Sequence, residues 1–162
     1  MTSITHTGEE LRELYRELIL DHARNPRHFG KLSDATHTAE GINPLCGDKL
    51  KMYFRIDDDD CISDACFEGS GCAISIASAS LLTDTVIGLD TDEALKYFST
   101  LLARLAGRQF ADSKNAGDAI NLGKLRALEG VKEFPLRVKC ATLAWHALKS
   151  AMHHELKPTT TE

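Results

Sequence analysis

The spacing of apolar residues predicts an amphipathic helix near the start of the chain. Apolar side chains recur at three- and four-residue intervals over residues 9–23, which places them on one face of a helix. Asn25-Pro26 follows this stretch, and a proline disfavours the helical conformation in the residue before it. We therefore expect the helix to end here and an irregular, turn-rich segment to follow over residues 26–38.

Strict alternation of apolar and polar residues begins at Lys49 and predicts a half-buried strand over residues 49–56. A second strand is expected over residues 61–68, and a short strand before Asn43 would complete a small antiparallel sheet. Four consecutive aspartates, residues 57–60, separate the first two strands. We interpret them as a solvated hairpin turn; a cation site is the alternative, but neighbouring side chains on one turn diverge.

The remainder of the chain has helical periodicity. Helices are predicted over residues 71–87, from residue 91 to a stop at Gly107, and over residues 138–152. Residues 108–123 are predicted to form a polar, glycine-containing excursion, with a short helix over 125–128 inside it. Strands followed by helices are typical of an α+β fold, here a small antiparallel sheet with helices packed on it. Since no repeat or linker is evident, we expect a single domain over residues 1–162, with flexible ends at about 1–8 and 155–162.

Composition and charge narrow the classes of function. The 162 residues are 43% hydrophobic and carry a formal net charge of −5, so the chain can bury a core without help from a metal or disulfide. The acidic balance argues against non-specific binding to nucleic acid or to an anionic membrane. Without an apolar leader or a membrane-spanning stretch, a cytoplasmic protein with reduced thiols is expected.

Three of the five cysteines have the setting of a metal or thiol site. Cys46 lies in a turn between a proline and a glycine, and Cys72 and Cys140 are predicted in the first turns of helices, where the helix dipole favours thiolate. With Asp48 they would form a tetrahedral set that zinc accepts, and Arg137 is a candidate cation to hold Asp48 or a sulfur anion. Spacing alone leaves independent buried thiols as the alternative, because the three segments are distant.

The remaining candidates have simpler interpretations. Cys61 and Cys66 are expected to be ordinary residues of the second strand, without a helix terminus or an adjacent ligand. His146 lies six residues beyond Cys140 and therefore on a different helix face, which favours a surface or interface role over a ligand role. Trp145 is expected in the core.

Several segments of the chain resemble the IscU/NifU-N iron–sulfur assembly family. The resemblance runs in the family's order from about residue 14 to residue 146, through residues 43–48 (NPLCGD), 67–75 (FEGSGCAIS), 77–80 (ASAS) and 137–145 (RVKCATLAW). Within this family, Lys139 replaces the histidine that scaffold-type IscU members carry before the third cysteine. The segment over residues 117–134 resembles the insertion that marks the SufU branch.

This resemblance implies a zinc-dependent sulfurtransferase with Zn²⁺ held by Cys46, Asp48, Cys72 and Cys140. Such a protein activates a SufS-type cysteine desulfurase, accepts its sulfur and passes persulfide to downstream iron–sulfur assembly proteins. We expect Cys46 to be the acceptor, freed when the docked desulfurase supplies a replacement ligand. Two alternatives are a scaffold that builds a transient [2Fe–2S] cluster or holds iron on the same ligands, and a structural zinc module that only docks partners.

Overall fold

The computed structural model describes residues 8–106, 121–155 and 157–161. Its helices are α1 (Gly8–Arg24), α2 (Ala73–Val86), α3 (Thr91–Leu105) and α4 (Pro135–Met152), with a 3₁₀ helix over Gly123–Val131. Its strands are β1 (His37–Asn43), β2 (Asp48–Ile56), β3 (Ile62–Ser70) and β4 (Thr159–Thr160). None of the helices within these ranges is both long and apolar enough to cross a membrane.

The four strands form one sheet in the order β3-β2-β1-β4, with helices packed against it. Strands β1, β2 and β3 are antiparallel, and their register aligns Asn43 with Asp48 and Lys49 with Ser70. The turn before β2, the end of β3 and the start of α2 are therefore neighbours in space. This α+β architecture confirms the fold class predicted from the sequence.

The aspartate run forms the hairpin turn between β2 and β3, as predicted. The Asp57 carboxylate accepts hydrogen bonds from the backbone N–H groups of Asp59 and Cys61, at 3.0 and 2.9 Å. Asp60 adopts a left-handed conformation with φ of 59°, which aspartate tolerates better than most residues. The Asp57 carboxylate therefore stabilises the turn.

Helix α2 forms the centre of the helical layer and packs against α1, α4 and β3. Its small alanine and serine residues allow close approach, and the Ser78 hydroxyl donates to the Ala141 carbonyl of α4 at 2.5 Å. The Trp145 indole N–H donates to the same hydroxyl at 3.2 Å, and its side chain is fully buried. Trp145 is a core residue, as the sequence indicated.

Two elements differ from the sequence-based expectation. Helix α4 begins at Pro135 rather than residue 138, because proline is well suited to the first position of a helix. The C-terminal residues, expected to be a flexible end, instead include β4, which pairs in parallel with β1 at Gly41 and Ile42. Part of the predicted polar segment, and of the insertion-like segment, lies outside the described residues.

Candidate metal centre

Cys46, Asp48 and Cys140 converge at one end of the sheet. One side-chain ligand atom of each lies within 4.8 Å of those of the other two, and the Cys46 and Cys140 Sγ atoms are 3.3 Å apart. Cys46 is exposed in the turn before β2, whereas Cys140 and Asp48 are buried. The structure thus brings together three of the four predicted ligands, with one thiol accessible from outside.

Asp48 is held by the backbone at the start of α2. Its Oδ1 accepts a hydrogen bond of 2.8 Å from the backbone N–H of Cys72. Only 1% of Asp48 is exposed, and none of the ion pairs among the described residues includes it. A buried carboxylate without a cation is costly, so this position calls for a positive charge.

Cys72 is the N-cap residue of α2, immediately before the first turn in which it was predicted. Its Sγ lies 3.8 Å from the Ser75 hydroxyl and is not part of the three-residue cluster. Cys72 nevertheless contributes to raising the pKa of the Cys140 thiol. The role of Cys72 as fourth ligand remains a prediction.

Two glycines allow the chain to close around Asp48. Gly47 has a φ of +73°, a left-handed conformation that side chains rarely adopt, and it connects Cys46 to β2. A Cβ on Gly71 would lie 2.6 Å from Asp48 Oδ1 and would also collide with the Ser75 hydroxyl. The glycines of both cysteine motifs are therefore required by the geometry of the site.

Asn43 is a site residue that the sequence reasoning did not single out. Its fully buried Nδ2 lies 3.5 Å from both Asp48 Oδ2 and Cys140 Sγ, and donates towards each. Its Oδ1 is buried without a hydrogen-bond partner. Asn43 is the last residue of β1, and no local pattern in the sequence separates it from an ordinary strand residue.

The environment of Cys140 opposes its ionisation when no cation is bound. Burial raises the pKa of its thiol, and the nearby side chains of Cys46, Asp48 and Cys72 raise it further. Because α4 begins at Pro135, Cys140 lies in the second turn of the helix. The predicted first-turn position was therefore wrong, and the helix dipole does not explain a thiolate here.

Arg137 is exposed and lines a cleft beside the centre. None of the hydrogen bonds or ion pairs in the described part of the chain joins it to Asp48, and Asn43 makes that contact instead. A role for Arg137 towards a sulfur anion remains a prediction.

The cysteines and histidines assigned simpler roles lie apart from this centre. Desolvation and nearby carboxylates raise the pKa values of the Cys61 and Cys66 thiols, which is the opposite of a reactive thiolate. His146 packs edge-on against Phe98, with ring centroids 5.0 Å apart. Cys66 lies in β3 as predicted, whereas Cys61 lies just before β3, in an isolated bridge with Asp90. None of these side chains is among the clustered ligands.

The chemistry of the donor set fits a zinc ion. Zinc accepts tetrahedral sets of thiolate and carboxylate ligands, and two thiols and one carboxylate lie here with ligand atoms within 4.8 Å of one another. A cation would also compensate the buried Asp48 carboxylate. Cys46, Asp48 and Cys140, with Cys72 alongside, could therefore hold Zn²⁺.

Comparison with known proteins places the chain in a family. Residues 14–141 match the family model of the NifU-like N-terminal domain. The zinc-dependent sulfurtransferase SufU of Bacillus subtilis is 41% identical over 145 residues, which cover 90% of this chain and 93% of that protein. The iron–sulfur cluster assembly scaffold protein IscU of Streptococcus pyogenes is 39% identical, covering 88% of this chain and 85% of that protein.

A solved structure agrees with the sequence comparison. The putative iron–sulfur cluster assembly scaffold protein for the SUF system from Fervidobacterium islandicum superposes with a TM-score of 0.74 at 33% identity. The match covers 87% of this chain and 98% of that one. The chain therefore belongs to the NifU-like N-terminal domain family, together with SufU and IscU proteins.

Proposed function

We propose that this protein is a zinc-dependent sulfur acceptor that activates a cysteine desulfurase and delivers sulfur to iron–sulfur cluster assembly. One observation carries the proposal: an exposed thiol, Cys46, lies 3.3 Å from a buried thiol and beside a buried carboxylate. The 41% identity to a protein named as a zinc-dependent sulfurtransferase supports it.

Zn²⁺ would be held by Cys46, Asp48, Cys72 and Cys140, and would keep the thiols deprotonated at neutral pH. The Cys72 backbone orients the carboxylate, and the Asn43 amide donates towards both Asp48 and Cys140. Outer-shell donors of this kind fix ligand orientation. The chain thereby positions a ligand set whose members come from three separate segments.

Cys46 is the ligand best placed to accept sulfur. It lies in a turn and is exposed, whereas Cys140 is buried within α4 and Cys72 caps α2. Its thiolate would attack the outer sulfur of a persulfide on the partner's cysteine. The new S–S bond gives Cys46 the persulfide, and the old S–S bond breaks with its electron pair leaving on the partner's thiolate. No oxidant or reductant is needed.

Apolar side chains around the centre support docking of a protein partner. Leu45, next to Cys46, is 63% exposed, and Leu136, one helical turn before Cys140, is 58% exposed. Large exposed apolar residues beside a reactive group are typical of an interaction surface. We assign this rim to contact with the desulfurase.

A scaffold function is the second candidate, because IscU proteins are similarly related to the chain. In that case a [2Fe–2S] cluster would be the cargo assembled on the same ligands. Lys139, which replaces the histidine of scaffold-type members, favours sulfur transfer over this alternative.

Anaerobic purification followed by metal analysis separates these functions. We expect about one equivalent of zinc, little iron, and a strong acceleration of alanine release from cysteine by a SufS-type desulfurase. A stable iron–sulfur chromophore with little acceleration would support the scaffold instead. Zinc with neither activity would leave only a docking module.

A further inference from the structure

A cleft of about 710 Å³ lies between α1 and the segment that joins the 3₁₀ helix to α4. Its lining combines apolar residues with five cationic side chains and only two carboxylates. A cleft of this size and lining is large enough to seat part of a partner molecule. Neither the ligand set nor the sulfur-transfer step uses it.

One wall of the cleft is a single face of α1. Arg12, Tyr15, Arg16 and Ile19 recur at three- and four-residue spacing and all line the cleft. The two arginines are exposed, Tyr15 is half-buried, and Ile19 belongs to the core. This face therefore places two guanidinium groups around an apolar strip.

The opposite wall adds Lys132, Phe134 and Arg137. Phe134 is 58% exposed and contributes an apolar ring to this wall. Of the two carboxylates, Glu129 already lies 3.3 Å from Arg104 and 3.9 Å from Arg126. The cleft is thus cationic on a chain whose formal net charge is −5.

The cleft adjoins the metal centre through two elements. Ile74, in its lining, is two residues beyond Cys72, and Arg137 is one helical turn before Cys140. A partner that delivers sulfur to Cys46 would therefore also lie against the cleft.

We propose that the cleft binds an acidic segment of the sulfur-donor protein, with an aromatic or aliphatic side chain seated against Tyr15 and Phe134. Carboxylates of this segment would face Arg12, Arg16 and Arg137. The inference rests on the proposed function, which supplies the partner. Charge complementarity selects the occupant, since the acidic chain outside the cleft disfavours nucleic acid.

Two double variants test the cleft at equal change in charge. Arg12→Glu/Arg16→Glu reverses two cations in the cleft, and Lys96→Glu/Lys149→Glu reverses two exposed cations elsewhere, on α3 and α4. Alanine release by the desulfurase is measured against the concentration of each variant. Zinc content and circular dichroism of each variant establish that the fold and the centre are retained.

We expect the cleft variant to raise the half-saturating concentration roughly tenfold or more, with the maximal rate unchanged. The control should change it less than twofold. Phe134→Ala should raise it severalfold with no change in its salt dependence. Equal half-saturation for the cleft and control variants would overturn the proposal, as would a loss of maximal rate alone.

Direct binding to the immobilised desulfurase separates this inference from the proposed function. If wild-type protein binds but does not accelerate the enzyme, the sulfur-transfer function fails. A selective loss of binding in the cleft variant then still supports the cleft. If wild-type protein does not bind, or both double variants bind as wild type does, the cleft proposal is contradicted.

Discussion

Two buried polar clusters in this protein differ in how completely their hydrogen bonds are satisfied. On α2, the buried Ser80 hydroxyl contacts His22 Nδ1 at 2.7 Å and accepts a hydrogen bond from the Arg27 backbone N–H at 2.8 Å. At the end of the sheet, Cys46, Asp48 and Cys140 place two thiols and a carboxylate together, and Asn43 contributes an amide at 3.5 Å.

The difference indicates what each cluster is for. The Ser80 cluster pairs donors with acceptors and fastens α1 and the following loop to α2, so it is complete as a structural element. The cysteine cluster has a buried carboxylate without a cation and a buried amide oxygen, Asn43 Oδ1, without a partner. Convergent ligands that leave polar groups uncompensated are typical of a metal site.

Of the changes predicted here, loss of a ligand from the cysteine cluster should have the largest effect, and the effect should be on zinc affinity. We expect Cys140→Ser to lower zinc affinity by at least about a hundredfold, because the effect of a direct ligand exceeds that of its outer-shell partners. Competition with a chromogenic chelator measures the affinity. Cys66→Ser, at a strand cysteine outside the cluster, is the matched control and should bind zinc as wild type does.

Loss of the outer-shell donor should have an intermediate effect. Asn43→Ala removes the amide that donates towards Asp48 and Cys140, and we expect zinc affinity to fall about 10- to 100-fold. Asn25→Ala, at an exposed position, controls for the substitution. Unchanged affinity in the Asn43 variant would assign that residue to packing alone.

A substitution in the Ser80 cluster should lower the stability of the protein and leave zinc binding unchanged. Ser80→Ala leaves His22 and the Arg27 N–H without their partner, which we expect to lower the free energy of unfolding by about 1–3 kcal/mol. Urea denaturation of the zinc-loaded protein measures it, with Ser99→Ala at an exposed position as control. A drop in zinc stoichiometry would show that the two clusters are coupled.

The smallest predicted effect is that of acidification on stability, through His22 in the Ser80 cluster. Burial lowers the pKa of His22 below its usual 6.5, so the unfolded chain takes up a proton before the folded chain does. The stabilising contribution of neutral His22 is therefore complete above about pH 6.5 and declines as the pH falls below it, by at most about 1.4 kcal/mol per pH unit.

Chelator-treated protein isolates this pH effect from zinc release. Unfolding free energies of wild type and His22→Gln are compared between pH 7 and pH 5. We expect the wild-type slope to be steeper. His37 and His146, whose pKa values burial also lowers, contribute equally to both proteins and cancel in the difference.

Local patterns in the sequence were sufficient for most of the fold. Alternation predicted β2 and β3, three- and four-residue spacing predicted α1 and α3, and the aspartate run was identified as a turn. The pairing of β4 with β1 was not predictable, because a two-residue strand has no periodicity and depends on a contact with distant residues. The sequence predicts the start of α4 three residues too late, because a proline can either precede a helix or occupy its first position.

The site was less predictable than the fold. Residue type and local setting indicate Cys46, Asp48 and Cys140 as candidate ligands. Their convergence depends on long-range packing, so the spacing of the residues does not predict it, and the expectation of a shared site depends on the resemblance to the family. Asn43 was missed because nothing local distinguishes a buried amide from an ordinary strand end. Arg137 lies in the first turn of α4 and lines the cleft, a position that depends on the packing of α1 and α4 against the 3₁₀ helix and has no local signal in the sequence.

The role of Cys46 as sulfur acceptor can be tested by locating the transferred sulfur atom. Zinc-loaded protein is incubated anaerobically with desulfurase and cysteine, its thiols are alkylated, and peptides are mapped by mass spectrometry. We expect one additional sulfur atom on Cys46, none on Cys61 or Cys66, and none anywhere in Cys46→Ala. Undiminished persulfide in the Cys46→Ala variant would contradict it.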